Sequence, residues 1–149
     1  MAIKILAILQ ARMGSKRFPG KVLKKINGNP LIQIMLHRLS KSKRIEKIVL
    51  ATSLNKNNNQ LVKTVENLGF EVFRGDEDDV LERYYKVAKK YNPEVVVRVT
   101  GDCPIIDPLL VDSVIEFYLE NEETDYATNA DPPTYPDGLD VEAFSFSAL

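Results

Sequence analysis

The fold of this chain is set by the stretch IKILAILQARMGSKRFPGK at residues 3–21. Residues 3–9 are almost continuously apolar and have the length of a buried β-strand. The residues that follow include two glycines, a serine, two arginines and two lysines, so the strand is predicted to lead into a basic loop, residues 10–21. A buried strand that enters a basic, glycine-containing loop is suited to binding phosphate.

The chemistry of the basic loop agrees with that prediction. Gly14 and Gly20 allow backbone N–H groups to approach an anion closely. Positive charge comes from four side chains, Arg12, Lys16, Arg17 and Lys21. The loop is neither a Walker A motif, because no Gly-Lys-Ser/Thr closes it, nor a dinucleotide fingerprint, because its glycine spacing differs. The alternative is a solvated basic turn between a strand and a helix.

Length and charge bound the class of protein. With 149 residues, of which 44% are hydrophobic, the chain is predicted to form one domain, residues 1–149. A net charge of -1 argues against a nucleic-acid partner. Between Arg12 and Lys47 there are 11 Lys/Arg and a single acid, Glu46, whereas acids dominate from Glu71 to Glu142. This asymmetry suits a site that holds an anion and a cation, although a chance distribution of surface charge is the alternative.

Cysteine content and the N-terminus indicate the compartment. A single cysteine, Cys103, excludes an internal disulfide and a cysteine-based zinc cluster. The first apolar stretch is too short for a signal peptide or a membrane span. We therefore expect a cytoplasmic protein without a membrane partner.

Strands and helices are predicted to alternate along the chain. Strands are predicted at residues 3–9, 48–51, 71–73 and 95–99, with further strands at 126–128 and 140–144. A first helix is predicted from Pro30, with Asn29 as its N-cap, to Ser40. Later helices are predicted at residues 59–68, at residues 79–91 and at residues 108–119. Such alternation gives an α/β fold with a parallel sheet covered by helices on both sides.

Local signals define the helix ends and faces. Gly69 is expected to end the second helix, Asp78 or Asp79 to cap the third, and Asn92-Pro93 to end it. Four residues at helical spacing are predicted to face the core from the third helix: Leu81, Tyr84, Tyr85 and Ala88. In parallel sheets ligands bind where strands end, so the loops of interest are residues 10–20, 51–55, 74–79 and 100–108.

Three positions outside the basic loop carry candidate chemistry. Asp102 follows a strand beside Gly101 and is placed to hold Mg²⁺, although an Asx-turn or a helix cap is the alternative. Asp107 precedes Pro108 and is predicted to be a helix N-cap. Arg98 lies in an apolar strand and is expected to pair with a carboxylate such as Asp102 or Asp140, or to reach a substrate phosphate.

Four motifs, in order, resemble a known family. They are LQARMGSKRFPGK at residues 9–21, RGDEDDVLERY at 74–84, RVTGDCPIIDP at 98–108 and YPDGLDVE at 135–142. The chain resembles the cytidylyltransferases that activate acidic sugars, and within them the spore coat polysaccharide biosynthesis protein F type. The resemblance implies a nucleotide-diphospho-sugar transferase fold with a Rossmann-like, mostly parallel sheet.

The resemblance also implies a reaction. CTP and an acidic sugar would give a CMP-sugar and pyrophosphate, with Mg²⁺ as cofactor, for cell-surface or spore-coat polysaccharide synthesis. The residues expected to carry the reaction are Arg12 and Lys21, which would hold the triphosphate, and Asp102, which would hold the metal. The other residues that the resemblance places against the nucleotide are Gln10, Ala11, Gly14, Ser15, Ala51, Thr52, Ser53, Thr100 and Gly101. Those placed on the sugar side are Arg98, Asp137, Gly138 and Asp140.

The chain departs from the family in length. Its members are usually longer, and their C-terminal part contributes a second metal-binding aspartate and a dimerisation arm. We therefore expect this chain to lack that part, and a homodimer where it is present. Two alternative functions stay open: a non-catalytic domain that binds a nucleotide or nucleotide-sugar, and a glycosyltransferase of the same fold.

Overall fold

The computed structural model describes residues 4–149, so Ile3, predicted to begin the first strand, lies outside the described residues. The strands are β1 Ile5–Gln10, β2 Lys25–Ile26, β3 Asn29–Pro30, β4 Lys47–Ser53, β5 Glu71–Gly75, β6 Val95–Thr100, β7 Tyr126–Thr128 and β8 Glu142–Ser145. The helices are α1 Leu31–Leu39, α2 Asn59–Asn67, α3 Val80–Tyr91 and α4 Pro108–Glu120.

The central sheet has six strands in the order β5-β4-β1-β6-β8-β7. Strands β5, β4, β1 and β6 are parallel, whereas β8 and β7 add an antiparallel edge. The predicted mostly parallel α/β sheet is therefore confirmed. From β1 the chain moves outward through β4 to β5, and α3 then carries it back to β6, on the other side of β1.

Helices cover both faces of the sheet. Leu9, Leu50 and Val97 belong to one buried cluster, which is completed by apolar residues of α1, α2 and α4. Ile8 and Val96 belong to a second cluster on the opposite face, against α3. The nearly continuous apolar runs of β1 and β6 are explained by burial on both faces.

Most predicted helix ends are confirmed. Asp79 is the N-cap of α3 and accepts a hydrogen bond from the Glu82 N–H at 2.8 Å. Asp107 caps α4 in the same way, accepting from the Leu109 N–H at 2.9 Å. Gly69 follows α2 with φ +85°, a left-handed conformation that glycine adopts without strain.

Two sequence predictions are wrong. Asn29 does not cap α1, because it pairs with Ile26 in a small β2–β3 ribbon and the helix begins after Pro30 without a side-chain cap. Leu81 and Tyr85 do not face the core: they are 63% and 42% exposed. Tyr85 packs on the surface against Phe146, with ring centroids 6.0 Å apart.

The remaining segments add two observations. Residues 145–149, which resemble a helix start in sequence, form a short 3-10 turn at Phe146–Ala148. Within residues 4–149 no helix combines the length and apolarity that a membrane crossing requires.

Candidate functional site

The candidate site is a cleft where β1 and β6 end side by side. The last residues of these strands, Gln10 and Thr100, are paired in register. The connection after β1 leads to β4 on one side of this pair, whereas the connection after β6 leads to β7 on the other side, so the two chain paths diverge here. A divergence of this kind, at the carboxyl ends of parallel strands, is where α/β proteins bind ligands.

Gly101 brings the two loops together. Its N–H donates a 2.7 Å hydrogen bond to the Gln10 carbonyl oxygen. A Cβ at this position would lie 2.7 Å from the Ala11 Cβ and 3.2 Å from the Gln10 oxygen. The close approach of the loops therefore requires glycine.

Replacing Gly101 by alanine is expected to destabilise the protein by about 1–3 kcal/mol, because the backbone of one loop must shift to remove the overlap. The measurement is the free energy of unfolding in urea. Gly14→Ala is the matched control, since a Cβ at Gly14 would have no atom within 4 Å. A Gly101→Ala variant as stable as that control would show that the loops separate without cost.

The cleft has two chambers. The first, of about 330 Å³, is lined by Arg12, Ser15, Lys16, Arg17, Lys21, Val22, Gly101 and Asp102. Four cationic side chains and one carboxylate face this volume, so its charge favours an anion. The predicted phosphate-binding side chains Arg12 and Lys21 therefore share one cavity with the predicted metal ligand Asp102.

The second chamber, of about 480 Å³, adjoins the first. Ser15, Arg17, Lys21 and Asp102 line both chambers. The remaining lining residues are Phe18, Thr100, Cys103, Asp137, Gly138 and Asp140. The proline-rich loop at residues 132–140 thus forms a wall of the cleft and brings its carboxylates to the side away from Arg12.

Asp102 lies between the chambers with two partners. Thr100 Oγ1 donates a 2.5 Å hydrogen bond to its Oδ1, and Lys21 Nζ lies 3.8 Å from its Oδ2. Partial burial opposes ionisation, but this hydrogen bond, the Asp102 amide and the charges of Lys21 and Arg17 outweigh it and lower the pKa of Asp102 below its ordinary value. The carboxylate is therefore ionised at neutral pH.

The donor set at Asp102 fits Mg²⁺ carried by a nucleotide. Residues 4–149 contain no group of three or more His, Cys, Asp or Glu side chains that could hold a metal ion by themselves. Mg²⁺ needs only one or two protein carboxylates when phosphate oxygens and water complete its shell. A half-exposed, ionised Asp102 beside an anion-binding chamber meets that requirement.

Arg98 lies outside both chambers. Its guanidinium pairs with Glu142, since the antiparallel β6–β8 register places these residues opposite each other, and it lies over the Tyr84 ring at 5.9 Å. The expected structural pairing is thus present, but its partner is neither Asp102 nor Asp140. Burial is the main cause that raises the pKa of Tyr84, whose hydroxyl has no hydrogen-bond partner.

The other predicted nucleotide contacts differ in position. Gln10 ends β1, and its Oε1 is buried without a hydrogen-bond partner. Ala51, Thr52 and Ser53 are buried at the end of β4 and do not line either chamber. Ala51 supports the basic loop instead, because its carbonyl oxygen accepts from the Ala11 N–H at 3.3 Å. A role for these residues, and for the exposed Gly14, in contacting a nucleotide stays a prediction.

Sequence reasoning missed one residue that contacts the basic loop. Asn58 is 2% exposed, and its Oδ1 accepts a 2.9 Å hydrogen bond from the Met13 N–H. In the sequence it is the middle of three asparagines, a pattern typical of an exposed turn. No periodic signal marks it, because its burial depends on how the β4–α2 connection folds beneath the loop.

Comparison with known proteins gives a consistent result. A family model described as cytidylyltransferase matches residues 6–138. The chain is 42% identical to the spore coat polysaccharide biosynthesis protein SpsF of Bacillus subtilis, over 82% of this chain and 52% of that protein. It is 32% identical to a 3-deoxy-manno-octulosonate cytidylyltransferase of Geobacter sulfurreducens, over 80% of this chain and 47% of that enzyme.

A solved structure agrees at the level of the fold. A cytidylyltransferase from Leptospira borgpetersenii serovar Hardjo-bovis superposes with a TM-score of 0.90 and 34% identity, covering 99% of this chain and 62% of that one. The chain spans about half to three fifths of the length of the curated relatives it matches, from 47% to 59% in the first three.

Proposed function

This chain belongs to the cytidylyltransferase family, and from that premise we propose that it transfers CMP from CTP to an acidic sugar and releases pyrophosphate. The observation that carries the proposal is the four-cation first chamber, which shares Lys21 and Asp102 with a second chamber lined by carboxylates. A triphosphate fits the first chamber by charge, and a hydroxyl-rich substrate fits the second.

In the proposed reaction, a sugar hydroxyl oxygen attacks the α-phosphorus in line and its proton is released to water. The new oxygen–phosphorus bond forms as the bond to the β-phosphate oxygen breaks, and pyrophosphate leaves with that electron pair. Little covalent chemistry falls to the protein, so positioning and charge neutralisation supply the rate. Arg12 and Lys21 bind the phosphates, while the Gly101 contact fixes their loop against the Asp102 loop.

Mg²⁺ is the proposed cofactor, and Asp102 would hold it. When bound, the ion neutralises phosphate charge and polarises the phosphoryl oxygens. Thr100 orients the Asp102 carboxylate through its hydroxyl, and both that hydrogen bond and the charge of Lys21 lower the pKa of Asp102. These two residues therefore prepare the site before a nucleotide arrives.

We assign the sugar to the second chamber. Asp137 and Asp140 carry carboxylate oxygens that accept hydrogen bonds from sugar hydroxyls, and Gly138 lines the same chamber. Arg17 faces both chambers and is the cation available to a substrate carboxylate. The relatives named for spore coat polysaccharide and for 3-deoxy-manno-octulosonate suggest a sugar of cell-surface polysaccharides.

A nucleotide panel tests the proposal. We expect CTP with Mg²⁺ to raise the melting temperature more than ATP, GTP or UTP, because specific binding stabilises the folded state. Pyrophosphate release with CTP should depend on an added acidic sugar such as 3-deoxy-manno-octulosonate. Arg12→Ala should reduce the stabilisation by CTP while leaving the melting temperature of the unliganded protein nearly unchanged, because Arg12 is exposed.

The same panel separates the alternatives. A glycosyltransferase would be stabilised by a finished nucleotide-sugar and would release no pyrophosphate from CTP. A non-catalytic binding domain would be stabilised by CTP without turnover. Equal stabilisation by all four nucleoside triphosphates would contradict the assignment of CTP.

A further inference from the structure

Asn58 joins the basic loop to the end of β4 through both halves of its side-chain amide. Its Oδ1 accepts from the Met13 N–H at 2.9 Å, and its Nδ2 donates to Ser53 Oγ at 2.7 Å. The orientation of the amide is determined, because only the oxygen can accept from a backbone N–H. Asn58 and Ser53 are 2% and 1% exposed, so the hydrogen bond between them is buried, while the one to Met13 is partly buried.

The Met13 peptide is the centre of the basic loop. Its carbonyl oxygen accepts from the Ser15 N–H at 2.9 Å and from the Gly20 N–H at 3.0 Å. Gly20 has φ +68° and directly precedes Lys21. The Met13 N–H and carbonyl oxygen belong to the two successive peptide groups that flank its Cα, so the position of the Met13 backbone fixes the turn at Ser15 and the direction in which the chain reaches Lys21.

The Asn58 anchor is itself supported from the neighbouring strand. Arg74 of β5 donates to the Ser53 carbonyl at 3.2 Å, to the Asn55 carbonyl at 2.9 Å and to Asn59 Oδ1 at 2.8 Å. Asn55 in turn donates to Glu77 Oε2 at 2.9 Å. The β4–α2 connection is thus held rigidly, and a rigid support makes a hydrogen bond to Met13 effective in positioning it.

We propose that Asn58 is a positioning residue that holds the basic loop in its anion-binding conformation, acting through the Met13 peptide. The part of the proposal that concerns CTP rests on the proposed function. Asn58 does not line either chamber, so its effect on a nucleotide is indirect. The proposal also gives a role to the asparagine turn at residues 57–59, none of which lines the cleft.

The test combines binding with amide exchange. In Asn58→Ala we expect the affinity for CTP and for inorganic tripolyphosphate to fall about tenfold, because the partly buried Met13 N–H loses its acceptor. Hydrogen exchange of the Met13 and Gly20 amides, followed by NMR in the unliganded protein, should accelerate by a similar factor. Asn58→Asp should restore slow exchange at Met13 and Gly20, since a carboxylate oxygen accepts from Met13 while the Ser53 hydroxyl turns to donate, although its added negative charge opposes the binding of an anion.

Two further variants complete the design. Asn57→Ala is the matched control, because Asn57 is the exposed neighbour in the same turn and should leave both readouts unchanged. Ser53→Ala removes the hydrogen bond that holds the Asn58 Nδ2, so it should change anion affinity and amide exchange by less than Asn58→Ala does. This variant keeps the test available if Asn58→Ala fails to fold.

The outcomes are distinguishable. Unchanged exchange at Met13 and Gly20 in Asn58→Ala would overturn the positioning role, whatever nucleotide binding shows. Equal acceleration of exchange in Asn58→Ala and Asn58→Asp would overturn it as well, because the acceptor would then be irrelevant. Failure of the wild-type protein to bind CTP would overturn the proposed function, on which the exchange measurement does not depend.

Discussion

Replacing Asp102 by asparagine is expected to abolish the Mg²⁺ dependence of CTP binding and to lower the rate of pyrophosphate release by about 100-fold, or roughly 2.7 kcal/mol in the activation barrier. The side-chain volume is kept, but the charge that a hard cation requires is lost. Metal-free CTP binding should persist or improve, because a carboxylate facing the phosphates is gone. Titration of CTP with and without Mg²⁺ measures both effects.

Asp107→Asn is the matched control for this substitution. Asp107 lies five residues further along the same loop, caps α4 and does not line the cleft, and asparagine caps helices as well as aspartate. The control should therefore keep the Mg²⁺ dependence. Retained dependence in Asp102→Asn would place the metal ligand on another residue.

The location of the site could be predicted from the sequence, because it follows from strand order and loop composition. An apolar run identifies β1 and β6 as buried parallel strands, and the charged residues that follow them must then meet at one edge of the sheet. The sequence also shows a glycine at position 101, beside the candidate metal ligand, although only the structure shows that it must accommodate Ala11.

Contacts that depend on register could not be predicted. Arg98 pairs with Glu142 only because β8 is antiparallel to β6 in one particular register, and a shift of one residue would place Glu142 on the opposite face. The sequence shows that Arg98 needs a partner but contains no local signal for which carboxylate it is.

Local signals failed where a longer-range contact competed with them. Asn29 has the composition of an N-cap, yet residues 25–30 form a ribbon whose turn is made by Asn27 and Gly28, both with positive φ. Leu81 and Tyr85 continue the apolar pattern of α3 but are exposed. Periodicity shows which side of a helix faces the sheet, but it does not show how wide a strip of that side the sheet buries.

Replacing Lys21 by alanine is expected to weaken CTP binding by about 10- to 100-fold, the range for loss of a charged contact worth about 1.5–3 kcal/mol. Lys21 lines both chambers and is the cation nearest to Asp102, at 3.8 Å. Lys21→Arg should retain part of the affinity, since it keeps the charge but changes the shape of the donor group. Lys25→Ala is the matched control, because Lys25 is exposed on β2.

Steady-state kinetics then separate two roles for Lys21. If it binds the triphosphate equally in the ground state and the transition state, Lys21→Ala raises KM and leaves kcat unchanged. We expect kcat to fall as well, because negative charge grows on the departing pyrophosphate and a cation beside it stabilises the transition state more than the bound substrate. Equal CTP affinity in Lys21→Ala and Lys25→Ala would show that the positive charge of the cleft does not act through Lys21. The phosphate-binding role would then fall to Arg12, Lys16 and Arg17, the other cations of the first chamber.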